Sequence, residues 1–152
     1  MCCLVHVIRS AKCTADVVIV LDTSFSVAWS SVNHISSFLA NLTNDVIASL
    51  NLDGSRIPLG IVTYSTTVRP LFNLSVHASV NQIQAAIASF NYSRGATNTP
   101  VALAYVRQTM LTSRAGARHD VPKVVIVLTD GKSSDTEATK VKPHFMRKTS
   151  RP

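Results

Sequence analysis

Long apolar runs are missing from this chain of 152 residues: the longest, Val17 to Leu21 and Val124 to Leu128, are strand-sized. A bilayer-crossing helix needs about 18 to 20 such residues in a row, so no membrane span is expected. Cysteine is scarce as well. Cys2, Cys3 and Cys13 are an odd set without paired CxxC spacing, which rules out a closed disulfide framework and a thiolate zinc cluster. His6, His34, His77, His119 and His144 are scattered, without the spacing of a zinc pair. Charged residues make up only 15% against 46% hydrophobic, a balance that excludes disorder for most of the chain. The length fits one domain.

Enzyme signatures are absent too. There is no GxxxxGK[ST] loop to cradle phosphates and no GxSxG turn to present a nucleophilic serine. Two residues after Asp22 stands Ser24, where an aspartyl phosphatase would carry a second carboxylate. The sequence reads as non-catalytic.

The formal charge of +7 invites a nucleic-acid reading until its placement is considered. Between Cys13 and Thr139 eight Lys and Arg balance eight Asp and Glu. The excess is Arg9 and Lys12 at one end, and Lys140, Lys142, Arg147, Lys148 and Arg151 at the other. Phosphate binding needs a basic face on a folded element, so these ends read as solvated tails and nucleic acid is not an expected partner. The opening MCCLVHVIRSAKC has too short an apolar stretch for a signal peptide, and its basic residues follow that stretch instead of preceding it.

What is present is an alternation of strand and helix patterns. Ala15 to Leu21 is a continuous β-branched run, as in a strand buried on both faces. From Trp29 to Leu50, Val32, Ile35, Leu39, Leu42, Val46 and Leu50 recur every three or four positions and predict a helix. Asp53 and Gly54 mark a turn. Ile57 to Tyr64 and Val68 to Leu74 predict two strands joined tightly enough to be antiparallel. Val80, Ile83 and Ile87 predict a short helix, and Thr99 with Pro100 opens another that runs through Leu103, Val106 and Met110. Arg114 to Pro122 is a loop, and Lys123 to Thr129 is a last buried strand. The pattern predicts an α/β, doubly wound, mostly parallel sheet with one antiparallel edge strand and helices on both faces.

Two of the apolar runs, VVIVLD and VVIVLTD, deliver Asp22 and Asp130 to the carboxyl ends of strands, the edge where open α/β sheets bind ligands. Singly, each aspartate is an ordinary turn or cap residue. In DTSFS, however, Ser24 and Ser26 follow Asp22 at alternate positions, and such oxygen donors suit Mg²⁺.

At these residues the sequence resembles the von Willebrand factor type A domains, also called integrin inserted-type domains. DTSFS resembles their DxSxS motif, GATNTPVAL their threonine-bearing loop, LTDGKSSD their final aspartate loop and LGIVTYS their central strand. The resemblance implies a metal-ion-dependent adhesion site in which Asp22, Ser24, Ser26, Thr97 and Asp130 hold Mg²⁺ or Mn²⁺. A carboxylate from the partner would then complete the ion's shell. It implies an adhesion module whose partner is an extracellular matrix protein such as collagen. Arg94 departs from the family, standing where many members have a second glycine.

The resemblance covers Ala15 to Val141, so the chain divides into a segment 1–14, a partial A domain 15–141 and a basic tail 142–152, expected to lack structure. Family members continue beyond the final aspartate loop with further strands and helices. Their absence here predicts a fragment whose Lys123 to Thr129 strand is an exposed edge. Many members also pair a cysteine before the first strand with one after the last; Cys13 fits the first position. Sequons at Asn41, Asn73 and Asn91 lean toward an extracellular glycoprotein. The alternative is an intracellular scaffold of the same fold in a chaperone, chelatase or protein-turnover assembly.

Overall fold

β-Branched residues dictate where the sheet is thickest. Strand β1 (Asp16–Asp22) is buried at all 7 positions. Because side chains alternate between the faces of a strand, such a run has to be covered on both sides. In the computed structural model, which describes residues 14–25, 32–50, 57–76, 79–90 and 92–129, β1 is an inner strand with parallel neighbours on both sides. These are β2 (Leu59–Tyr64) on one side and β4 (Lys123–Leu128) on the other. β3 (Val68–Phe72) runs antiparallel to β2, so the order is β3-β2-β1-β4. Segments 1–13 and 130–152, with Cys13 and the basic tail, lie outside the described residues, as do the turn at Asp53 and Gly54 and the predicted helix start at Trp29.

Alternation splits the strand residues between two cores. Val17, Ile19 and Leu21 join Leu59 and Ile61 against Leu39 and Ile47 of α1 (Val32–Ser49) and Ile83 and Ile87 of α2 (Val80–Ala88). Val18, Val20, Val62 and Tyr64 face the other way, onto Ala102 of α3 (Thr99–Tyr105) and then Val106 and Met110. At about 1.5 to 3 kcal/mol for each fully buried aliphatic side chain, these two layers supply most of the drive to fold. The doubly wound α/β architecture predicted from the sequence is present, antiparallel strand included.

Some boundaries differ for visible reasons. β3 stops at Phe72, because Asn73 starts a turn closed by the bond from Val76 N–H to its carbonyl, 3.3 Å. The predicted helix from Thr99 through Met110 is α-helical only to Tyr105 and continues as a π-turn, with Leu111 N–H donating to Val106 O at 2.9 Å. Thr99 does not cap its helix. The cap position is Asn98, while the Thr99 hydroxyl is turned inward. β4 is the edge of the described sheet, as expected. Val124, Ile126 and Leu128 pack on the α1 side, but Val125 and Val127 stay 37% and 38% exposed.

The amino ends of β1 and β4 are closed by a charge cluster. Asp16 has no exposed surface. Its Oδ1 accepts from Arg118 Nε at 2.8 Å and its Oδ2 from Arg118 backbone N–H at 2.7 Å. Lys123 Nζ lies 3.2 Å from Oδ2 and also donates to the carbonyls of Val121 and Arg118. This cluster ties the loop before β4 to the first residue of β1, leaving the opposite, carboxyl edge of the sheet for ligand chemistry.

Candidate functional site

At that carboxyl edge β1 delivers Asp22, 1% exposed, beside Tyr64 at the end of β2. Asp22 Oδ1 accepts the backbone N–H of Ser24 at 2.9 Å, an aspartate turn that bends the chain straight off the strand. Asp22 Oδ2 faces the sheet end. It accepts the hydroxyl of Thr129, just past β4, at 2.9 Å and lies 3.4 Å from the Tyr64 hydroxyl. Tyr64 also shares a hydrogen bond of 3.1 Å with the Thr99 hydroxyl. Burial raises the Tyr64 phenol above its usual range; the bonds with Thr99 and Thr129 pull it back down, and the Asp22 charge adds to the rise. Tyr64 therefore remains a proton donor at neutral pH, and a buried carboxylate keeps the donors it needs.

Two loops are clasped over this carboxylate. The Tyr92 hydroxyl donates to Ser24 O at 2.6 Å, and Phe25 N–H donates to Gly95 O at 3.0 Å. Thr23 donates its hydroxyl to Tyr64 O at 2.9 Å and shares a bond of 3.1 Å with Ser93, which reaches Ser65 at 3.3 Å. Ala96 N–H donates to Thr66 Oγ1 at 3.0 Å and Asn98 N–H to Ser65 O at 3.1 Å. Gly95 is required in this clasp: its φ is +144° and a Cβ there would lie 2.5 Å from Thr66 Oγ1. Gly95→Ala should cost about 1 to 3 kcal/mol, the usual range for backbone strain. A thermal midpoint equal to wild type would show that the loop can shift freely.

Of the residues singled out in the sequence, Asp22, Ser24 and Thr97 lie on this edge and are buried. Ser26 and Asp130 fall outside the described residues. Thr97 precedes α3, two positions before the Thr99 that reaches Asp22 through Tyr64. The residue pattern alone did not single out Tyr64, Thr99, Thr129 or Tyr92. Their signal is faint, since hydroxyl residues are common, although LGIVTYS, GATNTP and VLTD carry three of them.

Among the described residues no three His, Cys, Asp or Glu gather as a metal cluster. Among the described residues the donor set is one carboxylate, Asp22, with neutral hydroxyls and neither thiol nor imidazole. Such a set fits a hard, oxygen-seeking cation.

The family model for the von Willebrand factor type A domain matches residues 16–148. The chain belongs to this family. Among relatives of this A domain, the collagen alpha-4(VI) chain of Mus musculus is 32% identical over 123 residues, 80% of this chain and 5% of its own length. Matrilin-1 of Gallus gallus is 35% identical over 127 residues, 82% of this chain and 25% of its own length. The A domain thus spans a small part of each of these relatives. In fold it is similar to proximal thread matrix protein 1 of the mussel byssus, with a TM-score of 0.72 and 23% identity over 82% of this chain and 32% of that one. That protein has also been solved with a zinc-occupied MIDAS motif. No helix among the described residues of the A domain is long and apolar enough to cross a membrane.

Proposed function

We propose that this A domain is a metal-ion-dependent adhesion module. Asp22, Ser24, Ser26, Thr97 and Asp130 hold Mg²⁺ or Mn²⁺ in this reading, and the partner is an extracellular matrix protein, such as a collagen, that offers an acidic side chain. The observation that carries the reading is the buried Asp22 carboxylate, oriented at both oxygens beneath two hydroxyl-bearing loops. When bound, the ion supplies a positive centre that an outside carboxylate can approach. The chain's own residues do the preparation. Thr129 and the Ser24 N–H hold the carboxylate in place, and the Tyr92 and Gly95 contacts hold the loops, so little ordering remains to oppose binding.

The module is non-enzymatic in this reading, because the site has no general base beyond carboxylates given to the metal and no phosphate cradle. The matrix relatives favour an extracellular setting. Carbohydrate, where present, would sit on Asn41, Asn73 or Asn91; of these Asn41 is exposed on α1 and Asn91 lies outside the described residues. Asn73 is a poorer site, since its Oδ1 is buried without a hydrogen-bond partner among the described residues.

The test is adhesion of the full chain to collagen-coated surfaces. In Mg²⁺ the chain should bind; EDTA should abolish binding, and Thr97→Ala, which deletes one hydroxyl and spares the strands, should weaken it by about tenfold or more. Binding that survives both treatments would assign adhesion to another surface and end the metal-bridge reading.

A further inference from the structure

The two oxygens of Asp22 are held from different places. Oδ1 accepts the Ser24 N–H, a contact inside its own turn. Oδ2 faces hydroxyls brought by two other strands. Thr129, which follows β4, donates to it at 2.9 Å, and Tyr64, the last residue of β2, donates at 3.4 Å. A phenol has one proton. With that proton directed at Oδ2, the Thr99 hydroxyl is the donor in the 3.1 Å bond it shares with Tyr64. The Tyr64 bond is the longer and weaker of the two on Oδ2, so Thr129 is the principal donor.

Each oxygen of a carboxylate offers two lone-pair positions, and two donors on Oδ2 engage both. A cation held by both oxygens of Asp22 would have to displace one of these hydroxyls. That count bears on the choice of ion. Ca²⁺ gathers many oxygens in a flexible shell and readily takes both from one carboxylate, whereas Mg²⁺ demands a near-ideal octahedron and draws on few carboxylate oxygens. Neither Thr129 nor Tyr64 belongs to the proposed ligand set.

We infer that Thr129, with Tyr64 behind it, is a specificity-determining residue of the metal site: by engaging Oδ2 its hydroxyl holds Asp22 to donation through one oxygen and so disfavours Ca²⁺ against Mg²⁺. The inference deepens the proposed function and rests on its placing Asp22 among the ligands. Thr129 and Tyr64 are positioning residues, acting on the ion through Asp22.

The test loads the full chain with Mn²⁺, follows it by water proton relaxation, and displaces it with Mg²⁺ or Ca²⁺, so that the readout is metal affinity and not adhesion. Thr129→Val keeps the side-chain shape and removes the hydroxyl, at a residue that is exposed and belongs to neither core. It should shift the ratio of Ca²⁺ to Mg²⁺ affinity toward Ca²⁺ by about threefold, and Thr129→Val combined with Tyr64→Phe by about tenfold, the lower end of what supporting residues around a metal contribute. Thr129→Ser keeps the donor and should retain the wild-type ratio. General damage to the fold weakens both ions together and leaves the ratio where it was; thermal melting in EDTA establishes that each variant is folded. If the buried Tyr64→Phe change prevents folding, Thr129→Val against Thr129→Ser decides alone. A ratio that stays at the wild-type value in Thr129→Val, or that moves equally in Thr129→Ser, overturns the inference and leaves the metal site standing. A wild-type chain that binds neither Mn²⁺ nor Mg²⁺ removes the site, and the inference with it.

Discussion

Asp22→Ala should lower the affinity for Mg²⁺ or Mn²⁺ by about a hundredfold or more, enough to take binding out of the measurable range. The remaining donors that the structure describes on this edge are neutral hydroxyls, and these compete poorly with a cation's own hydration water. Loss of a supporting residue around a metal already costs about 10- to 100-fold, and loss of the charged ligand exceeds that. Asp22→Asn is the companion variant. An asparagine oxygen can still accept the Ser24 N–H or the Thr129 hydroxyl, so the loop stays formed while the charge is gone. Calorimetric titration and Mn²⁺ proton relaxation should find both variants inactive. Unchanged titration in either one would remove Asp22 from the site.

The second large effect is on stability, at the other end of the same strand. Asp16→Ala should destabilise the fold by about 2 to 4 kcal/mol in urea unfolding. Breaking a buried ion pair from one side typically costs about 3 to 5 kcal/mol, because the remaining charge is stranded. Here the stranded groups are the cations, with side chains 25% and 17% exposed, so water screens part of the loss. The backbone N–H of Arg118 loses its acceptor as well. A cost below about 1 kcal/mol would show that the apolar contacts of β1 hold the loop unaided. Asp16→Asn should fall between, since it keeps acceptors for that N–H.

These two aspartates also mark how far the residues alone could be read. The VVIVL run of β1 announces a buried parallel strand, because a strand covered on both faces can be apolar at every position; the same run in β4 also pairs in parallel, but none of its positions is buried. Period alone placed Leu39, Leu50, Ile83 and Ile87 toward the sheet. Asp22 stood out because hydroxyls followed it at alternate positions. Asp16 did not, since its partner Arg118 is 102 residues away, Lys123 lies farther still, and no local pattern connects them. The same holds for the bond between Tyr92 and Ser24, across 68 residues. Tyr64 read as one more β-former; its hydroxyl matters only after β1, β2 and α3 converge. The π-turn after Tyr105 left no trace in a helical pattern that is correct at Val106 and Met110 either way. Contacts made through folding at a distance are invisible to periodicity, and they are the ones that orient Oδ2 of Asp22.

The position of β1 between β2 and β4 also sets a schedule for synthesis. One edge of β1 is satisfied by β2, whose register begins with Val17 opposite Leu59, whereas the other pairs Asp16 with Lys123 and waits for roughly a hundred further residues. At about 5 to 20 residues per second, that edge stays open on the ribosome for roughly 5 to 20 seconds. A nascent chain in that interval presents the apolar, β-branched VVIVL stretch of β1 to every neighbour, and β4 meets the same hazard as soon as it emerges. Recovery of this protein in soluble form therefore depends on what shields VVIVL during those seconds as much as on the stability of the finished sheet.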